Sequence, residues 1–340
     1  MRRPTVATVL LSLTVVSCFG APPYTGQGGP NFNGREFKNL VPFEERDICD
    51  LLAWQIEGGG RPWPEWIETP ATPPPPARVA SGLRVTYVNH ATVLVQIPGA
   101  NILTDPIWSD NVGPISGIGP KRRKRVGVAF DDLPRIDAVL LSHNHYDHLD
   151  TSTLERLNAR DRPVFIGGLG TKGLLGEAGI RRAIELDWWA SVEVKSATIT
   201  FAPAQHWSAR GADDWYVNLW GSFFVEAGET SVYFAGDTAV GPHFEMVRDR
   251  LGAPDVALLP IGAYEPRWFM RPQHIDPAEA VDAHLTLGAR RSIAIHWGTF
   301  DLSDEGPREP VVDLERALEK KSVSKDAFLV LENGHAYAEP

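Results

Sequence analysis

The sequence predicts an α/β fold. Short β-branched apolar runs recur between residues 85 and 331, helical segments fall between the later runs, and 43% hydrophobic residues in a chain of 340 supply one large core and an appendage. Charged residues make up 22%, as in ordinary globular proteins. The net charge of -10, from 33 basic and 43 acidic residues, argues against a nucleic-acid partner, which meets a basic face. No run of about eighteen apolar residues or more is present, so no stretch is expected to span a bilayer in the mature protein.

Taken in order, residues 1–17 read as a lipoprotein-type signal peptide. Arg2 and Arg3 precede the apolar stretch Thr5 to Val16, and Val15-Val16-Ser17-Cys18 resembles the lipobox in which the cysteine is lipidated; the alternative is ordinary signal cleavage without lipidation. Phe19, rather than aspartate, follows Cys18, which implies the outer membrane, facing the periplasm, in a cell with two membranes. Acyl chains on Cys18 would provide the membrane attachment, because an acidic body does not seek anionic lipid. Cys49 then has no partner for an internal disulfide. Residues 18–34, rich in Gly, Pro and Asn, read as a flexible tether. Residues 35–80 form an N-terminal extension: a helix over Glu44 to Ile56, the cluster Trp63-Pro64-Glu65-Trp66, and a stiff spacer at Pro73 to Pro76.

The main domain is assigned to 81–340. Val85–Val88, Thr92–Ile97 and Ile102–Thr104 read as strands, the last two joined by a turn at Pro98-Gly99-Ala100-Asn101. Ala138–Leu141 is a further strand, followed by a helix over Ser152–Asn158. Later strands are expected at Ala197–Phe201, Gly221–Val225, Ser231–Phe234, Val256–Leu259, Ser292–Ile295 and Phe328–Leu331. Helices are expected at Glu245–Leu251, Pro277–Leu287 and Val311–Lys320. The second of these has Asp276 as its cap, Pro277 in the first turn and Glu279 three residues after the cap.

One serine after Ala138–Leu141 stands His143-Asn144-His145-Tyr146-Asp147-His148. Three imidazoles and a carboxylate packed this closely are unfavourable unless a cation holds them, and a turn at the end of a buried strand splays them into two adjacent coordination spheres. Further ligands are expected just past other strand ends. His206, Asp237 and His296 each stand near the end of an apolar run.

Together, His143, His145, Asp147, His148, His206, Asp237 and His296 resemble the ligand pattern of the metallo-β-lactamase fold of binuclear hydrolases. Longer strings are similar to the N-acylphosphatidylethanolamine-hydrolysing phospholipase D family. They include Leu103-Thr104-Asp105-Pro106-Ile107-Trp108, Gly119-Pro120-Lys121-Arg122, Leu186-Asp187-Trp188-Trp189, the run Pro260 to Met270, Gln273-His274-Ile275-Asp276-Pro277, and Ala294 to Phe300. The resemblance covers roughly Phe37 to the C-terminus. It implies an αββα sandwich with two zinc ions, in place of which iron or manganese is possible. His143, His145 and His206 would hold one ion, Asp147, His148 and His296 the other, and Asp237 would bridge them. A shared hydroxide would be the nucleophile, since zinc lowers the pKa of its water to about 7. Asp147 would also orient that hydroxide.

His274 matches an active-site histidine of the family and is expected to hydrogen-bond phosphate or assist the leaving group; the alternative is a loop histidine bonded to backbone. His90 is expected to pack between strands, and His243, His284 and His335 to be structural or solvated. Asp105 either bonds a ligand histidine or forms an Asp-Pro turn. The run Lys121 to Arg125 either draws an anionic headgroup, with Lys121 and Arg122 in contact, or is a solvated loop. Trp63, Trp66, Trp188, Trp189 and Trp207 either line an acyl groove, with Trp188 and Trp189 as substrate contacts, or belong to the core. Ser116 and Gly117 stand where animal members carry a Gln-Tyr pair, which puts contacts to an N-acyl amide in doubt. The expected function is hydrolysis of a phospholipid to phosphatidic acid and a headgroup alcohol. Alternatives are a lactonase or other acyl hydrolase, and a surface lipoprotein that uses metals only to brace its fold. A homodimer is compatible with the resemblance.

Overall fold

The computed structural model describes residues 20–339 apart from Phe43, Asp47 and Ser116. The expected signal peptide, Cys18 and Ser116 lie outside the described residues. Two seven-stranded sheets form the centre. The first runs β14 (Ala336–Glu339), β1 (Leu83–Asn89), β2 (Thr92–Ile97), β3 (Ala100–Thr104), β4 (Ala138–Leu141), β5 (Val164–Gly168) and β6 (Ala183–Leu186). The second runs β13 (Phe328–Leu329), β12 (Arg291–Ile295), β11 (Val256–Pro260), β10 (Thr230–Phe234), β9 (Ser222–Ala227), β8 (Ala197–Ala202) and β7 (Ser191–Val194).

Strand alternation builds the layers. In the first sheet Val93, Val95, Ile102, Leu140 and Ile166 join the core between the sheets. Their neighbours Leu94, Leu103, Val139, Leu141 and Phe165 point to the other face. There they pack on Leu154 and Leu157 of α2 (Thr151–Arg160) and Leu174 and Leu175 of α3 (Thr171–Glu177). Burial on both faces is why these strands read as continuous apolar runs. The second sheet is covered by α4 (His243–Leu251), α6 (Pro277–Leu287) and α7 (Glu309–Lys320), through side chains such as Val247, Val281 and Leu314. The expected αββα sandwich is the observed fold. Helix α6 has the predicted start: Asp276 accepts from the Glu279 amide, and Glu279 returns a bond to the Asp276 amide.

Several elements depart from expectation. Helix α1 (Ile48–Glu57) starts later than Glu44, and β5, β6, β7, β14 and α3 were not anticipated. Val164–Gly168 ends in glycines and α3 contains two, so both lack the usual propensity; packing on the neighbouring strand holds them. Residues 20–34 are docked rather than a free tether: Ala21 N donates to Asp214 Oδ2 at 2.6 Å, Gly29 N to Asp187 Oδ2 at 2.8 Å, and the rings of Tyr24, Phe32 and Phe37 pack together. No described helix is long and apolar enough to cross a membrane.

Close backbone approach lets the two sheets meet at one edge. Gly236 has φ +61, and an added Cβ would lie 2.6 Å from Ser142 Cβ. Gly236 precedes Asp237, and Ser142 precedes His143. Within the second sheet, between the ends of β11 and β12, a Cβ at Gly262 would lie 2.1 Å from the His296 carbonyl oxygen. Gly236→Ala is therefore expected to destabilise the metal-free protein through two effects: left-handed backbone, about 1–2 kcal/mol, and overpacking, about 1–3 kcal/mol. Denaturant unfolding measures the change, and an unaltered midpoint would show that the edge has slack.

Candidate metal centre

Strands β4, β8, β10 and β12 end at this edge. His143 follows β4 through Ser142, and a turn closed by His148 N and Leu149 N on the His145 carbonyl presents His145, Asp147 and His148. His206 follows β8, Asp237 follows β10, and His296 follows β12 in a left-handed conformation, φ +61. All seven expected side chains are brought together.

They form two adjoining groups. In the first, His145 Nδ1 lies 2.8 Å from His143 Nε2 and 3.3 Å from His206 Nε2. In the second, His296 Nε2 lies 3.2 Å from His148 Nε2 and 3.3 Å from Asp147 Oδ2. Asp237 stands between them: Oδ2 is 3.1 Å from His148 Nε2 and 3.9 Å from His206 Nε2, and Oδ1 is 3.2 Å from His296 Nε2.

The outer nitrogens are held in turn. Asp105, at φ +30, places Oδ2 2.6 Å from His148 Nδ1 and also accepts from the Ser142 amide and hydroxyl. Of its two readings, the bond to a site histidine is the one observed. His206 Nδ1 lies 2.8 Å from the Gln273 carbonyl oxygen, and His143 Nδ1 2.9 Å from Ser142 Oγ. Such bonds fix the tautomer and aim the inner nitrogen.

The donor set fits a transition metal. A single N–H can reconcile two of the three nitrogens of the first group, leaving a third lone pair directed at them; a cation satisfies all three. Burial and neighbouring imidazoles push His143 and His145 well below the ordinary imidazole range, and burial takes His206 down to about 4. Burial acts the same way on His148 and His296, but Asp237 and Asp147 outweigh it: His148 lies well above its ordinary value and His296 is pushed up to about 9. Burial would raise Asp147 and Asp237, yet His148 above all holds both well below the carboxylate range.

His274 reaches the same centre from the loop between α5 (Arg267–Met270) and α6. Its Nδ1 is buried without a hydrogen-bond partner, 3.8 Å from Asp237 Oδ2. Trp207 borders the site: its ring meets His145 at 4.4 Å and Trp215 at 4.8 Å.

Other expected contacts lie elsewhere. Arg122 is buried, and its guanidinium points inward, donating to Asn89 Oδ1 and the carbonyls of Ile107 and Ser109 rather than facing a headgroup. Lys124 is also buried, paired with Glu332 at 2.5 Å and 4.8 Å from the Trp297 ring centroid, while Lys121 is exposed. The basic run is thus an extended segment that turns Arg122 and Lys124 inward and leaves Lys121 and Arg125 exposed. Trp188 donates Nε1 to the Trp220 carbonyl, Arg250 lies over Trp189, and both rings pack on the main core. Trp63 Nε1 donates to the Glu305 carbonyl, and Trp66 is exposed.

Two participants were missed. His90, expected to pack, places Nε2 3.0 Å from Asp147 Oδ2 and lies tilted against His296, with ring centroids 3.9 Å apart. The available sign was a histidine in the two-residue connection between two buried strands. Asn39 accepts from the His206 amide at 3.1 Å and donates to its carbonyl at 2.7 Å, binding the N-terminal extension to the site. Nothing in its polar surroundings marked it. Asn39→Ala strands both His206 backbone groups. It is expected to lower the stability of the metal-free protein by about 1–3 kcal/mol, read by denaturant unfolding; an unchanged value would mean that water replaces the amide.

Residues 100–297 match the family model described as Beta-lactamase superfamily domain. The chain is 38% identical to N-acyl-phosphatidylethanolamine-hydrolyzing phospholipase D 1 of Caenorhabditis elegans, over 76% of this chain and 76% of the relative. It is 30% identical to a UPF0173 metal-dependent hydrolase of Methanopyrus kandleri, over 75% of this chain and 99% of the relative. The solved structure of Igni18, a metallo hydrolase from Ignicoccus hospitalis, superposes with a TM-score of 0.57 at 22% identity, covering 76% of this chain and 99% of that one, which shows a shared fold.

Proposed function

The chain belongs to the metallo-β-lactamase superfamily and is a metal-dependent hydrolase, and on that premise we propose that it is a binuclear zinc phosphodiesterase of the phospholipase D type, acting on N-acylphosphatidylethanolamine or a related phospholipid. The observation that carries this reading is the pair of adjoining donor groups that share Asp237. His143, His145 and His206 would hold one metal, Asp147, His148 and His296 the other, with Asp237 between them. The ions, when bound, supply Lewis acidity toward phosphoryl oxygens and an acidified water at neutral pH. Asp147 is the donor we also assign to orienting the attacking water. In the overall reaction a water oxygen bonds to phosphorus, the bond from phosphorus to the headgroup oxygen breaks, and a proton ends on that oxygen. The products are phosphatidic acid and the headgroup alcohol. The identity to a relative that hydrolyses N-acylphosphatidylethanolamine supports this substrate class.

We also assign His274 to the phosphate, a role supported by its buried, unpartnered Nδ1 beside Asp237. Burial pushes it down to about 3, so at neutral pH it is an uncharged imidazole. A neutral ring donates a hydrogen bond better than it delivers a proton, so we assign it to a phosphoryl oxygen rather than to the leaving group.

A lipid anchor at Cys18 also belongs to this reading, on the strength of residues 15–18. The Ala21 amide donates to Asp214, beside Trp215, whose ring packs against Trp207 at the site's border. An anchor two residues before Gly20 would hold that edge close to the bilayer.

Assays of the zinc-loaded chain on phospholipid vesicles, a lactone and a β-lactam test the reading, with products identified by mass spectrometry. Phosphatidic acid with the headgroup alcohol is the expected outcome. Turnover of the lactone or β-lactam alone, or release of free fatty acid, would contradict it. His274→Asn is expected to lower kcat/KM about 10- to 100-fold with metal content retained, the range of one hydrogen bond to a charged group. Unchanged kinetics would remove His274 from the phosphate.

A further inference from the structure

His90 is the buried titratable group at the centre that the proposed chemistry leaves unused. It sits in the connection between β1 and β2 in a left-handed backbone, φ +46, a conformation that a histidine keeps only when its surroundings over-determine it. The surroundings do so at four points. Its amide donates to Thr299 Oγ1 at 3.2 Å, and its carbonyl accepts from the His296 amide at 2.8 Å. Its ring lies 3.9 Å from His296 and edge-on to Phe300 at 5.2 Å. Its Nε2 is 3.0 Å from Asp147 Oδ2. One residue therefore ties the loop after β4 to the loop after β12.

The oxygen it touches is the one that faces the second donor group. Asp147 Oδ2 is also 3.3 Å from His296 Nε2 and 3.5 Å from His148 Nε2. A carboxylate oxygen has two lone pairs, so one can accept from His90 while the other stays directed at a cation.

We propose that His90 is a positioning residue for the second metal site, donating its Nε2–H to Asp147 Oδ2 and fixing that carboxylate in the orientation that ligation needs. The proposal rests on the two-metal reading above. It assigns His90 no contact with substrate or metal. Hydrogen-bond partners of ligating carboxylates are worth about 10- to 100-fold in metal affinity.

The test is a zinc titration of the metal-free full chain against a chromophoric chelator, in wild type, His90→Leu and His90→Gln, with circular dichroism of each metal-free protein as the control for folding. Wild type is expected to bind two equivalents. His90→Leu should weaken the second by about 10- to 100-fold and leave the first unchanged. His90→Gln, whose amide N–H can stand in for Nε2–H, should recover most of the loss. If the leucine variant does not fold, His90→Asn, with its shorter amide, takes its place in the comparison with glutamine. X-ray absorption of the two-zinc wild type should count two imidazoles on the second metal. A leucine variant that keeps wild-type affinity at both sites, or a glutamine no better than leucine, would overturn the proposal. A third imidazole on the second metal would overturn it too, by making His90 a ligand. Wild type that binds fewer than two zinc ions would defeat the two-metal reading itself, a failure separate from these.

Discussion

Imidazole nitrogens and carboxylate oxygens that meet at 2.8 to 3.3 Å in a buried pocket cannot all be satisfied by one another's protons. That constraint organises the structure around it. His143, His145 and His206 direct three lone pairs at one point, while His148 and His296 are drawn to the charged form by Asp147 and Asp237. Cations are the common solution for both groups, and Asp237 lies within reach of each. Without them the edge of the sandwich would carry a concentrated electrostatic cost that the core must offset.

Bringing the donors so close requires scaffolding on several levels. Strand ends from the two sheets must approach without side chains between them, which is the role of Gly236 against Ser142, and within the second sheet Gly262 does the same against the His296 carbonyl. The imidazoles must be turned correctly, which Asp105, Ser142 and the Gln273 carbonyl accomplish from behind. The loop carrying His206 is steadied from outside the sandwich by Asn39. The N-terminal extension is therefore part of the centre's support rather than an accessory, consistent with the burial of Phe37 in the main core and with the docking of the preceding segment through Ala21 and Gly29.

Much of this was legible in the sequence because the chemistry is concentrated. The spacing of His143, His145, Asp147 and His148 after an apolar strand carries its meaning locally, and His206, Asp237 and His296 repeat the same placement past other strand ends. The strands buried on both faces were visible as apolar runs. Elements were missed where glycine replaces propensity, as in β5 and α3, and where pairing alone makes a strand, as in β7 and β14. His90 and Asn39 act through contacts with residues 57 and 167 positions away, which no local pattern encodes. Arg122 misled for the opposite reason: a run of five basic residues looks like a surface feature, yet alternate side chains turn inward to satisfy carbonyls and a carboxylate.

The central claim is that the sandwich edge exists to hold two metal ions on these side chains. Diffraction from crystals of the zinc-reconstituted chain, recorded on both sides of the zinc absorption edge, tests it directly. The account predicts two anomalous peaks about 3.5–4 Å apart, one among His143 Nε2, His145 Nδ1 and His206 Nε2, the other beside Asp147, His148 and His296, with Asp237 between them. An edge without anomalous density, or zinc bound only at other residues, would contradict it.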